Sequence, residues 1–223
     1  MQARPKRPQA GNGHALRRIA VWLAIVAAIA IPLGLAVASP FLAYRGPAYI
    51  MGGFAGIIAL CLLLLQPLIA GRYLPGLRPR QAKSWHVWVG AGIVSCVILH
   101  VVGLYVTSPP DTLDALLLVS PTPFSVYGVT AMWGVALTVL LVVLRRRLPL
   151  RYGTWRLIHN VLAFIVVVAT VVHALQIEGA MEPVSKWALC LLVLIVTAAT
   201  LIDLRVIKPR LQKRRSVQSP VGD

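Results

Sequence analysis

Four of the five histidines fall inside two apolar runs and share one spacing. His86 and His100 lie in WHVWVGAGIVSCVILHVVG, from Trp85 to Gly103. His159 and His173 lie in RLIHNVLAFIVVVATVVHALQ, from Arg156 to Gln176. In each run thirteen residues separate the two imidazoles. A step of fourteen residues along an α-helix rises about 21 Å and falls about 40° short of four full turns. Each helix therefore shows both rings on roughly one face, at two depths. Two such helices side by side make two histidine pairs, one above the other.

Few chemistries suit that pattern. A bare metal ion needs three or four ligands close together, often with carboxylates or thiolates. The spans supply no carboxylate at either level, unless Asp203 approaches the pair formed by the first histidine of each run. A proton relay needs ionisable steps across the middle, and the runs show none. A haem needs one imidazole on each side, from two facing helices, and an apolar slot between them. Two axial histidines fill both open positions of the iron, which suits electron carriage. One lone histidine in such a run is explained as readily by a bond to a neighbouring helix. Four in two matched pairs are not, because an ionisable residue within a membrane is costly and usually functional. His14 stands apart near the N-terminus with no partner in view.

The elements that must position these rings are membrane spans. The 223 residues are 58% hydrophobic and 13% charged, with mean hydropathy +0.80. A soluble domain of this size carries far more charge. The pattern predicts an all-α, six-transmembrane helix bundle. The spans run about 19–38, 48–70, 85–106, 124–144, 156–176 and 184–206. Residues 1–18 read as a disordered basic tail, residues 19–206 as the bundle, and residues 207–223 as a basic tail. The first span ends in Ala36-Val37-Ala38, which resembles a signal-peptidase site, but its apolar run is too long for a usual leader; an uncleaved helix kinked at Pro32 is expected.

The net charge of +16 is topological information rather than a mark of nucleic acid. The N-terminal tail, the loop with Arg72, Arg78, Arg80 and Lys83, the loop with Arg145, Arg146, Arg147 and Arg151, and the C-terminal tail are basic. The alternate loops hold Asp111, Asp114, Glu178 and Glu182. The positive-inside rule then puts both termini in the cytoplasm. It also sets His86 and His159 at the cytoplasmic level and His100 and His173 at the outer level, by a route independent of the histidine spacing. The cysteines, Cys61, Cys96 and Cys190, each stand alone in an apolar run and read as small core residues.

Several neighbours have two readings. Gly90 and Gly103 sit about one turn beyond His86 and His100, where they allow either a flat macrocycle or close helix packing. Gly52 and Gly56 form a G-x-x-x-G packing face. Gln66 suits a haem propionate or, more plainly, a neighbouring backbone. Arg156 shares a helix face with His159 and suits an inner propionate; for it, as for Arg80, Lys83 and Arg45, membrane topology accounts for the charge at least as well. Trp85, Trp88 and Trp155 are expected in the interfacial belt, and Trp133 near mid-span suits a place between two haem levels or, more plainly, ordinary packing. Between the third and fourth spans, DTLDALLLVS predicts a short helix with Asp111 as its N-cap.

The two H-x13-H spans, with RYGTWRLIHNVLAFIVVVATVVH leading the second, resemble the ferric reductase-like transmembrane domain family. That superfamily includes ferric reductases, NADPH oxidases and the haem subunit of a periplasmic methionine sulfoxide reductase system. The likeness covers roughly residues 48 to 206. It implies two b-type haems, His86 with His159 and His100 with His173, in a bacterial plasma membrane. Electrons would pass from a cytoplasmic flavin and nicotinamide donor to an acceptor outside. Full-length ferric reductases continue into FAD- and NAD(P)-binding domains. Here about fifteen residues follow the last span, and no G-x-G-x-x-G loop occurs. FAD or FMN and NAD(P)H are thus expected only through a partner flavoprotein, or a quinol supplies the electrons. The competing expectations are a haem subunit for a periplasmic repair reductase and, from another class, a transporter or assembly factor with no redox role.

Overall fold

The computed structural model describes residues 11–211. They form α1 (Gly11–Val37), α2 (Pro47–Ala70), α3 (Pro79–Thr107), α4 (Pro109–Leu116), α5 (Pro123–Val143), α6 (Tyr152–Gln176) and α7 (Pro183–Ile202). All of these except the short α4 are long and apolar enough to cross a membrane. Among the described residues there is no β-strand.

The starts of these helices are written locally. Helices α2, α3, α4, α5 and α7 each open on proline. At that position the missing N–H costs nothing and the fixed φ already suits a helix. Glu182 caps α7: its carboxylate accepts from the backbone N–H of Val184 at 2.8 Å and of Ser185 at 2.7 Å. The side chain of Gln81 reaches back to accept from the Arg78 backbone N–H at 2.9 Å, one turn into α3.

Helix α2 packs most closely on α3, and α5 on α6. Helix α7 joins the two hairpins by packing on both α2 and α6, and α1 lies outside against α7 and α2. The core therefore sits where α2, α6 and α7 meet. Leu60 and Leu64 of α2, Val166 and Val167 of α6, and Leu189, Cys190 and Val193 of α7 are buried there, with Ala36 of α1. Most other large apolar side chains are exposed, among them Ile98, Val102, Leu191 and Ile195. In water that surface would be ruinous; in hydrocarbon it is the solvated one. Helices α3 and α6 each pack on their own hairpin partner, so their backbones stand apart across the bundle.

Some boundaries differ from those the sequence predicts. Residues 11–18, expected in a disordered tail, are the first turns of α1, and the apolar span begins at Ala15; residues 1–10 lie outside the described residues. Pro32 sits inside α1 without ending it. Helix α3 starts at Pro79, so Arg80 and Lys83 are helical rather than in a loop. The short helix α4 has Ser108, not Asp111, as N-cap. Pro109 sets its first turn, and Asp111 accepts a bond from the Ser108 hydroxyl at 2.6 Å. The backbone runs on from α7 through a π-helical stretch, Asp203–Ile207, into helix as far as Leu211. Helix thus continues into the expected basic tail; residues 212–223 lie outside the described residues.

Candidate functional site

Helix α3 carries His86 and His100, and helix α6 carries His159 and His173. The fold brings the four rings together as two pairs. The ring centroids of His86 and His159 are 6.3 Å apart, and those of His100 and His173 are also 6.3 Å apart.

Neighbouring helices set the second pair. The Nδ1–H of His100 donates to the carbonyl of Gly52 on α2 at 2.8 Å. The Nδ1–H of His173 donates to the carbonyl of Phe124 on α5 at 2.8 Å. Each bond fixes the tautomer and leaves Nε2 as the free nitrogen. Glycines let the rings come so close. A Cβ on Gly56 would stand 3.0 Å from His100 Nδ1, and one on Gly128 would stand 2.7 Å from His173 Cε1. The crossing of α2 on α3 depends on Gly103, where a Cβ would lie 2.7 Å from both the Ala48 carbonyl and the Gly52 Cα. Gly103 therefore serves helix packing. Phe124 adds an edge-on contact to His173, with centroids 6.0 Å apart.

The first pair is held differently. Gln66 takes the plainer of its two options: its Nε2 donates to the His86 backbone carbonyl at 3.2 Å. Gly90 makes room for it, since a Cβ there would lie 3.1 Å from that Nε2. Trp155 stacks on His159, with centroids 5.4 Å apart and planes 9° apart. Its Nε1 donates to the Leu141 carbonyl at 3.1 Å. Trp155 is thus a wall of the site rather than only a belt residue. The Nδ1 atoms of His86 and His159 and the Oε1 of Gln66 are buried and have no hydrogen-bond partner among the described residues.

Around this level lies a polar layer. Arg156 donates to the Leu204 carbonyl at 3.4 Å, in the π-helical stretch that follows α7. Asn160, with its amide oxygen facing Arg205, accepts from that guanidinium at 2.9 and 3.2 Å and donates to the Arg156 carbonyl at 3.2 Å. Asp203 is engaged elsewhere: its carboxylate accepts from the Tyr73 hydroxyl and pairs with Lys208 at 2.8 Å. Among the described residues no three histidine, cysteine or acidic side chains gather to hold a bare metal ion. Arg45 lies over the Tyr49 ring, and Lys186 donates to the Ile177 carbonyl. Trp133 is 58% exposed, and Val126, Leu137 and Leu140 of α5 are exposed too. It is therefore not packed in the core, as an ordinary packing role would require.

The pairs can be tested for fit to a group coordinated from both sides. A metal–imidazole bond is about 2 Å long, and a ring nitrogen lies about 1 Å from its ring centre, so two opposed imidazoles on one ion have centroids about 6 Å apart. Both observed separations, 6.3 Å, fit. Two-sided imidazole ligation also leaves no demand for a third side chain.

Gly56, Gly128, Phe124 and Trp155 complete the site, and sequence reasoning assigned none of them to it. Trp155, one turn before His159, was readable as a neighbour on the same face. Gly128 and Phe124 depend on the register of α5 against α6, which no local pattern fixes.

An all-helical membrane bundle with opposed histidine pairs defines a class of integral membrane protein. Residues 55–170 match the family model described as ferric reductase like transmembrane component, over half of the chain, and the chain belongs to that family. The match runs from α2 into α6; it includes His86, His100 and His159 and ends three residues before His173. No curated protein and no solved structure matches the chain. The family is one of membrane electron-transfer components with redox cofactors.

Proposed function

We propose that the protein is a dihaem b-type membrane cytochrome that carries electrons across a bacterial plasma membrane. His86 and His159 would hold the iron of an inner haem, and His100 and His173 that of an outer haem. The observation that supports this most is the equal separation of the two ring pairs, 6.3 Å at each level. When bound, the haems supply reversible one-electron chemistry.

The chain itself does the rest. Helices α3 and α6 oppose the imidazoles. The Gly52 and Phe124 carbonyls orient the outer rings and raise their basicity as ligands. The apolar helices exclude water between the levels. Arg156 spends one contact on Leu204 and, with five N–H donors on its guanidinium, serves an inner propionate as well. The basic faces are cytoplasmic. A separate flavoprotein, holding FAD or FMN and fed by NAD(P)H, docks there and is attracted by the arginines between α5 and α6. The outer acceptor is ferric iron, oxygen or a periplasmic redox partner.

The absorption spectrum of purified protein, with and without dithionite, tests this reading. A Soret band and two haems per chain are expected, falling to one in His100→Ala and in His173→Ala, with electron delivery outward abolished. A colourless wild type, or either variant with undiminished haem and activity, overturns it.

A further inference from the structure

The first turns of α6 hold a feature that coordination alone does not require. Tyr152, Trp155 and His159 are spaced three and four residues apart, so they share one helix face. Their ring planes are nearly parallel. Tyr152 and Trp155 lie 6.3 Å apart at 13°, and Trp155 and His159 lie 5.4 Å apart at 9°. Tyr152 is 60% exposed at the basic face, Trp155 is half-buried, and His159 belongs to the first pair. Unsaturated rings thus follow one another from the surface to the pair.

Two contacts hold the stack. The Trp155 indole is pinned through Nε1 to the Leu141 carbonyl, and the Arg145 guanidinium lies 4.7 Å from the centre of Trp155 and 5.2 Å from that of Tyr152. A tryptophan serving only the membrane belt needs neither this register with a histidine nor a cation across its ring. The cation has two consequences. It opposes a positive charge on the indole, so Trp155 acts as a bridge and not as a stopping place for an electron hole. It also adds to the attraction of this corner for an anionic donor.

We infer that the Tyr152–Trp155–His159 stack is the inlet by which electrons reach the inner histidine pair, with Trp155 as the bridging ring and Tyr152 as the platform for a planar anionic donor, a reduced flavin. The inference rests on the dihaem reading. In the step one electron would leave the reduced flavin and reduce by one electron the haem that His86 and His159 would hold. No bond is made or broken on the protein, the anionic flavin becomes its neutral radical without releasing a proton, and Tyr152 and Trp155 undergo no net change.

The test uses the full haem-loaded chain as wild type, Trp155→Leu, Trp155→Phe and Tyr152→Leu. Haem content and both midpoint potentials are measured by redox titration. The rate of inner-haem reduction by free reduced flavin mononucleotide is measured by anaerobic stopped flow. The expected result is unchanged haem content and potentials in Tyr152→Leu, a several-fold slower reduction per haem, at equal driving force, in both Tyr152→Leu and Trp155→Leu, and recovery of most of the rate in Trp155→Phe. Equal rates in wild type and Trp155→Leu overturn the inlet while leaving the dihaem reading intact. So does a Trp155→Leu slowing that vanishes once the rate is taken per haem and at equal driving force, which makes Trp155 a support for His159 instead. A wild type without haem overturns the dihaem reading and the inlet with it.

Discussion

At the residue scale, the second histidine pair is fixed by contacts that leave little slack. His173 is held between the Phe124 carbonyl and the bare backbone of Gly128. A methyl group at 128 would sit 2.7 Å from the ring, inside van der Waals contact, so the ring must turn off its bond. Gly128→Ala is expected to lose the outer haem while the inner one stays. Haem-to-protein ratio and the reduced spectrum check this, and a full complement of two would contradict it. Gly56 presses on the His100 ring in the same way, but at 3.0 Å a small shift suffices. Gly56→Ala is expected to broaden the outer-haem signal rather than abolish it, as read by electron paramagnetic resonance of the oxidised protein.

At the element scale, the site depends on how α2 meets α3 and how the end of α7 meets the loop before α3. The first contact is backbone to backbone at Gly52 and Gly103. Leucine at 103 would drive the helices apart, at a cost of about 1–3 kcal/mol for overpacking, and would pull the Gly52 carbonyl from His100. Gly103→Leu should lower the thermal midpoint in detergent and weaken the outer pair. The second contact joins Tyr73, Asp203 and Lys208. Burial first, and then the bond to Asp203 and its charge, push the Tyr73 hydroxyl up from 10.0 to about 12. A raised folded-state value means that the contribution is complete below about 10 and is lost as pH climbs through about 12. The stability advantage of wild type over Tyr73→Phe should therefore shrink across that window, as thermal melts at stepped pH will read. An advantage that grows with pH would contradict the assignment.

At the scale of the whole molecule, two hairpins, α2–α3 and α5–α6, are joined through α7, and the two histidine helices face each other across the bundle. Direct α3–α6 packing, which is not among the main helix contacts, would leave no room for the proposed haems. The charge pattern adds direction: Arg145, Arg146, Arg147 and Arg151 lie at one face, and Asp111, Asp114 and Glu182 at the other. We predict that both termini and the arginine-rich loops are cytoplasmic. Single cysteines introduced at Arg147 and at Glu178, in a background with Cys61, Cys96 and Cys190 replaced, test it with an impermeant thiol reagent on intact cells. Labelling at 178 and protection at 147 is the expected outcome, and the reverse would invert the proposed electron flow.

Much of this protein is fixed by its one-dimensional pattern. Six apolar runs of spanning length must become helices, because backbone N–H and C=O groups have no other partner in hydrocarbon. The fourteen-residue step must put His86 above His100, and His159 above His173, since helical rise and turn are invariant. The family likeness, too, could be read from residues that are close in sequence. What the chain could not declare by itself is everything that depends on register between helices. Whether Gly103 met a macrocycle or Gly52, whether Trp155 faced lipid or His159, and which carbonyls would hold the outer imidazoles were settled by three-dimensional packing. A lipid-facing surface and a buried one are both apolar, so hydropathy cannot tell one face of such a helix from another. Only side-chain volumes meeting across the bundle, with glycine wherever a ring or a backbone needed the space, decide how far each helix turns.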